Sequence, residues 1–152
     1  DIQASIGVTQ MERAGDIISE RQELAKNYNN ALKELDFFQL PYENTNYEHG
    51  YQSYPCMFDI KNASLNKIKR VNEKRNMFMD ALQKKGVSTR PATHAVHMLQ
   101  YYREKYEVQA EDFPNAYIAN ECSISFPLFN GLTDEEQCFV IKSIKKRYLN
   151  GY

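Results

Sequence analysis

The stretch GVSTRPATHAVHMLQYY, Gly86 to Tyr102, places one arginine, two histidines and two tyrosines within seventeen residues. A guanidinium makes two-point contacts with phosphates and carboxylates, and an imidazole can ligate a metal, carry a proton or line a pocket. Arg90 precedes Pro91, which drives its backbone towards the extended region. That aims Arg90 off the end of a short strand, where it can meet an anion; the alternative is an arginine in an exposed turn. His94 and His97, three apart, would share a helix face as a zinc pair. A third ligand is missing: His49 lies far away in a loop, and no H-E-x-x-H arrangement surrounds the pair. Metal binding is therefore disfavoured, and each histidine reads as lining a pocket or a core.

Other chemistry is sparse. Arg21 falls on an apolar helical stripe between Ile18 and Ala25. It either snorkels with its head in water, the commoner arrangement, or meets an anion in a cleft. Among the eleven tyrosines, Tyr28 and Tyr148 lie on apolar faces and read as core, while Tyr51, Tyr54, Tyr101 and Tyr102 are ambiguous. No G-x-S-x-G, P-loop or G-x-G-x-x-G is present. The chain shows no complete catalytic apparatus of its own.

The elements that must position these groups are legible from periodicity. Met11, Ala14, Ile18, Ala25, Tyr28, Leu32 and Leu35 keep a three-and-four step, predicting a long helix or two nearly collinear ones over residues 1–35. An irregular connection rich in Asn, Tyr and Gly leads into the strand YQSYPCMFDI, and Pro55 inside it suggests an edge strand or a bulge. NASLNKIKRVN reads as polar and exposed. EKRNMFMDALQKKG reads as a short helix with Phe78, Ala81 and Leu82 inward and Gly86 as its stop. A short strand VSTRP, a helical turn through His94 to Tyr106, and a short helix running into a strand at 122–128 should follow. Thr133 and Glu136 have capping-box spacing for a last helix that buries Val140, Ile141, Ile144 and Tyr148. This order indicates an α/β (α+β type) fold, a small mixed sheet covered by helices, as one domain.

With 19 Lys plus Arg and 20 Asp plus Glu, the net charge of −1 supplies no broad positive field for nucleic acid or an anionic membrane. No apolar run approaches the ~20 residues that span a bilayer. Cys56, Cys122 and Cys138 form no C-x-x-C pair and sit in apolar surroundings, consistent with a reduced, cytoplasmic protein. The opening DIQASIGVTQM, without an initiator methionine, predicts a piece of something longer.

Four segments, DIQASIGVTQMERAGDIISERQELAKNYNNAL, YQSYPCMFDI, ALQKKGVSTRPATHAVHMLQYYREKY and SISFPLFNGLTDEEQCFVIKSIKK, occur in the order found in the C-terminal part of the DegT/DnrJ/EryC1/StrS sugar aminotransferases. Thr89 to Tyr102 is most similar to the perosamine synthase branch, which acts on nucleotide-linked 4-keto-6-deoxy sugars. The resemblance implies that residues 1–152 are the C-terminal small domain of a fold-type I, pyridoxal-phosphate-dependent transaminase, a homodimer with shared active sites. It moves an amino group from glutamate to the sugar. The Schiff-base lysine would lie upstream of Asp1, so the chain alone would be inactive and hold no cofactor-binding residue. Carried over by position, Arg90 and His94 become substrate-binding candidates and Arg21 approaches the nucleotide diphosphate. Tyr54 becomes structural, and His97 belongs in the core.

Two alternatives share this starting point. One is the pyridoxal-phosphate-dependent 3-dehydratase branch, in which a histidine replaces that lysine; the other is a stand-alone, non-catalytic binding module.

Overall fold

A computed structural model describes residues 1–149, with the side chains of Tyr148 and Leu149 outside that description. The chain opens with two helices, α1 (Ile2–Glu12) and α2 (Ala14–Leu32), broken at Arg13, whose φ of −102° and ψ of 4° leave the helical region. Strand β1 (Phe38–Gln39) and β2 (Tyr54–Phe58) follow, then α3 (Ile68–Gln83), α4 (Gln100–Tyr106) and α5 (Pro114–Cys122). Strand β3 (Ser123–Phe126) and α6 (Asp134–Leu149) close the chain.

The strands form one sheet in the order β1-β2-β3. Phe38 pairs with Phe58, and Tyr54, Cys56 and Met57 pair with Phe126, Ile124 and Ser123. The α/β class and the small helix-covered sheet match the expectation from sequence. Both ladders are antiparallel, however, so the sheet of the described residues is not mixed.

Alternation along β2 buries Tyr54, Cys56 and Phe58 completely and leaves Pro55 and Met57 half-buried. Against that face α2 delivers Leu24, Ala25, Tyr28 and Leu32, and α3 delivers Phe78 and Leu82. The rings of Phe37, Phe38, Phe58, Phe78 and Phe126 meet largely edge to face. Tyr28 stacks on Tyr54 at 4.8 Å and donates to the Pro127 carbonyl at 2.8 Å, while Tyr54 donates to Asn29 Oδ1 at 2.6 Å. Both tyrosines are thus core residues whose hydroxyls are satisfied. Truncating Phe78 to alanine in such a core costs about 3–5 kcal/mol.

Several expectations need correction. Pro55 lies on the central strand, yet β1 ends before reaching it. Its partner Ser125 turns its own N–H and C=O to the other side, towards Arg90. Pro55 therefore sits in a non-hydrogen-bonded pair, with its missing N–H facing no strand. The strand VSTRP is reduced to one bridge, Arg90 with Ser125. The segment NASLNKIKRVN is not simply exposed: its Ile68 and Val71, with Arg75 of the following segment, continue the three-and-four stripe of Phe78 and Leu82 backwards, and all are buried. Polar neighbours hid that stripe.

At the other end of the chain, α1 buries nothing, and Met11 is 72% exposed instead of continuing the stripe of α2. Gly86, at φ +82°, ends α3 as expected, with Val87 N–H donating back to the Leu82 carbonyl at 3.0 Å. Thr133 and Glu136 form the capping box in both directions, at 3.0 and 3.2 Å. Val140 and Ile144 are buried and Ile141 partly so, while the side chain of Tyr148 lies outside the described residues.

Cys56 and Cys122 are buried as expected, but Cys138 is exposed. Burial pushes the Cys56 thiol well up and that of Cys122 up to about 11. Titrating the folded chain with a thiol-specific reagent at pH 8 should modify Cys138 alone, with the other two reacting only after denaturant is added. Equal labelling of all three in the native state would contradict this core.

Candidate functional site

The stretch that carries Arg90 and His94 is held almost entirely through its backbone. Arg90 exchanges two hydrogen bonds with Ser125, its N–H donating at 3.4 Å and its carbonyl accepting at 2.7 Å. Pro91 has no N–H to place. The next two amides, of Ala92 and Thr93, both donate to Ser123 Oγ at 3.1 and 3.3 Å, and the Ala95 amide donates to Asn120 Oδ1 at 3.1 Å. The α5–β3 junction and β3 thus supply the partners from Asn120, Ser123 and Ser125 in turn. Nothing in the sequence singled out Asn120 or Ser123; the one available signal was a serine, Ser123, breaking an otherwise buried run.

This anchoring leaves the side chains of Arg90 and His94 exposed, with no hydrogen bond or ion pair to any described residue. Beyond them Val96–Met98 forms a single 3-10 turn and leads into α4, whose Tyr101, Tyr102 and Tyr106 are all exposed. His97 turns the other way. It is half-buried against Phe113, with ring centroids 5.1 Å apart, and its Nε2 is buried without a hydrogen-bond partner. Among the described residues no group of three His, Cys, Asp or Glu is placed to hold a metal ion.

Arg21 meets different elements. Its Nε donates to Asn130 Oδ1 at 2.9 Å, and its Nη1 to the carbonyls of Tyr51 and Gln52 at 3.0 and 2.9 Å. Its neighbour Glu20 accepts from the Gly131 amide at 2.6 Å and from Asn130 Nδ2 at 2.8 Å. Those bonds, the Gly131 amide first, hold the Glu20 carboxyl below its ordinary value. Gly131 sits at φ +88°, a conformation that a side chain would strain. The charge on the apolar stripe is therefore used to clasp α2 to the loop after β3 and to the approach to β2. The structure brings Arg90 and His94 onto one short loop and attaches Arg21 elsewhere.

Two sizeable cavities also lie away from that loop. One of about 790 Å³ opens between α2 and the 42–51 connection and includes Tyr42, Tyr47, His49 and Tyr51. Tyr51, whose hydroxyl donates to Glu43, is pushed up to about 12, by burial first and by Glu43 second. The other, about 630 Å³ at the start of α3, is lined by Lys67, Arg70 and Lys74 among others. Arg90 and His94 instead stand on an open face.

A sequence model of the DegT/DnrJ/EryC1/StrS aminotransferase family matches residues 1–145. The chain belongs to this family. An uncharacterized protein of Methanocaldococcus jannaschii is 30% identical over 96% of the chain, and the spore coat polysaccharide biosynthesis protein SpsC of Bacillus subtilis is 23% identical over 95%. The chain spans about a third of each relative, 36% in both cases. Among solved structures, a Streptococcus pneumoniae protein described as a candidate sugar aminotransferase superposes with a TM-score of 0.82. It is 23% identical, covers 98% of this chain, and 35% of its own length is matched. That likeness confirms the fold, and the same protein is known in PLP- and PMP-forms.

The family's aminotransferases use pyridoxal phosphate, and the residues present here do not fit a place for it. A Schiff-base lysine must sit in a cleft against the cofactor ring. Every described lysine is exposed except Lys74, which is half-buried 3.9 Å from Asp59.

Thermal or denaturant unfolding separates the two arginines. Arg21→Ala should cost about 2 kcal/mol through lost partly buried hydrogen bonds, while Arg90→Ala and His94→Ala should stay within about 0.5 kcal/mol of the parent. The clasp should also be acid-sensitive. Glu20 titrates lower in the fold than in the unfolded chain, so its stabilisation is present above about pH 4.5 and is lost as pH falls through the lower folded value. Glu20→Gln should flatten the fall in stability between pH 5 and pH 3; an unchanged slope would count against the clasp.

Proposed function

We propose that residues 1–152 form the C-terminal small domain of a pyridoxal-phosphate-dependent sugar aminotransferase. The whole enzyme moves an amino group from glutamate to a nucleotide-linked 4-keto-6-deoxy sugar for a polysaccharide or glycan. The family match over residues 1–145 supports the aminotransferase reading, and a relative named for spore coat polysaccharide biosynthesis supports the sugar. The observation that carries the role of this chain is the loop at Arg90: its backbone is fixed while its two chemically able side chains are exposed and unpartnered.

In this reading Arg90 meets a diphosphate oxygen pair through its planar guanidinium. His94, four residues on, hydrogen-bonds the sugar or the diphosphate. Arg21 keeps the nucleotide side of the domain in shape through its three recorded bonds and approaches the diphosphate with the remaining Nη2. The cofactor supplies the electron sink for amino transfer and belongs to the rest of the protein. The second half of the site comes from a partner subunit in a homodimer. Among the described residues no helix is long and apolar enough to cross a membrane, in keeping with a substrate-bearing pocket open to water.

The test uses the full-length protein supplied with glutamate and candidate nucleotide-linked 4-keto sugars, following cofactor absorbance and the aminated product. Arg90→Ala should weaken sugar-nucleotide binding about 10–100-fold, the worth of a charge-assisted contact, with the cofactor spectrum unchanged; His94→Ala should act in the same direction and less. No spectral change with any sugar would overturn transamination. Unchanged affinity in both variants would remove the loop from the site.

A further inference from the structure

We propose that Ser123 is a positioning residue for substrate, assisted by Asn120: it sets how tightly the protein holds a nucleoside diphosphate by fixing the backbone of the loop that carries Arg90 and His94. The inference rests on the reading of that loop as the substrate wall.

The loop has a problem that Ser123 solves. Past the Arg90 bridge, the amides of Ala92 and Thr93 make no recorded backbone hydrogen bond. Two consecutive N–H groups converging on one point form a shape that takes an oxygen, and the oxygen here is the Ser123 hydroxyl. Asn120 Oδ1 takes the Ala95 amide, so Arg90 and His94 lie inside a segment fixed at both ends and at the middle. A guanidinium on such a segment loses little freedom when an anion arrives; on a loose segment that loss would be charged against binding.

Ser123 is itself fixed. It is 1% exposed, and its carbonyl accepts from Arg75 Nη1 at 3.0 Å. Arg75 is 4% exposed, and its Nε has no hydrogen-bond partner. Burial lowers its pKa, the opposing influence being the Glu121 carboxylate. A buried guanidinium with an unsatisfied N–H is a poor device for stability, since an apolar side chain on the same stripe of α3 would pack without that desolvation. It does hold the Ser123 backbone in place from below. The chain Arg75, Ser123, Ala92 and Thr93 thus runs from the core to the exposed loop, and its geometry is explained by position.

Calorimetric titration of the full-length protein with uridine, guanosine and thymidine diphosphates tests this, together with amide exchange of the peptide spanning residues 91–95. Ser123→Ala should weaken the diphosphate that the parent binds about tenfold, the worth of one or two hydrogen bonds. It should also speed exchange at Ala92 and Thr93 and leave cofactor absorbance unchanged. Ser123→Thr, which keeps the oxygen, should restore both readouts. If Ser123→Ala does not fold, Asn120→Ala should show the same pattern at Ala95. An affinity within about twofold of the parent, while Arg90→Ala weakens binding, overturns the positioning role alone. Unchanged affinity in both Ser123→Ala and Arg90→Ala, or a parent that binds none of the three diphosphates, overturns the substrate-wall reading and this inference with it.

Discussion

Strand β3 has two hydrogen-bonding edges, and the organisation of the molecule follows from the use of both. One edge completes the sheet with β2 through four register pairs. The other edge accepts a single residue, Arg90, through Ser125. The pairing stops at that one bridge, and the chain leaves the sheet with its arginine at the rim. Burial of Tyr54, Cys56 and Phe58 under α2 and α3 fixes where β3 lies, so the core determines the place of the exposed loop through a few backbone bonds.

Charge is used in two distinct ways. Arg21, Glu20, Asn130 and Gly131 hold α2 to the loop after β3, each through partners within the chain. Arg90 and His94 have none. In the proposed reading, an exposed arginine and histidine on a fixed loop offer the surface where an external anion would complete the bonding. The same contrast separates Arg75, buried beneath the loop, from the solvated cations of α3.

Much of this was legible in the sequence, for physical reasons. The stripe of Tyr28 and Leu32, the glycine stop at Gly86 and the capping box at Thr133 are local signals, set by helix period and backbone sterics. Arg21 announced itself as a charge where an apolar residue belonged, and so pointed to a partner. Its particular partners, Asn130 109 residues away and the Tyr51 and Gln52 carbonyls 30 and 31 away, could not be read, since they arise from tertiary placement alone. Arg75 made the same kind of mark, but the stripe it belongs to was hidden where it runs back through Val71 and Ile68, among polar neighbours. Pro55 misled because a strand central in the sheet is locally an edge where its short neighbour ends. Beyond the serine standing in a buried run, Ser123 and Asn120 gave no local sign, because their partners are amides of a loop about thirty residues earlier.

The central claim is that the Arg90 loop is one wall of a nucleotide-sugar site whose remainder lies outside this chain. The most direct measurement is a crystal structure of the full-length protein with a bound nucleoside diphosphate. The account predicts a diphosphate oxygen about 3 Å from the Arg90 guanidinium, with the backbone of Ala92 and Thr93 still on Ser123. A diphosphate bound elsewhere, with Arg90 turned to solvent, would contradict it.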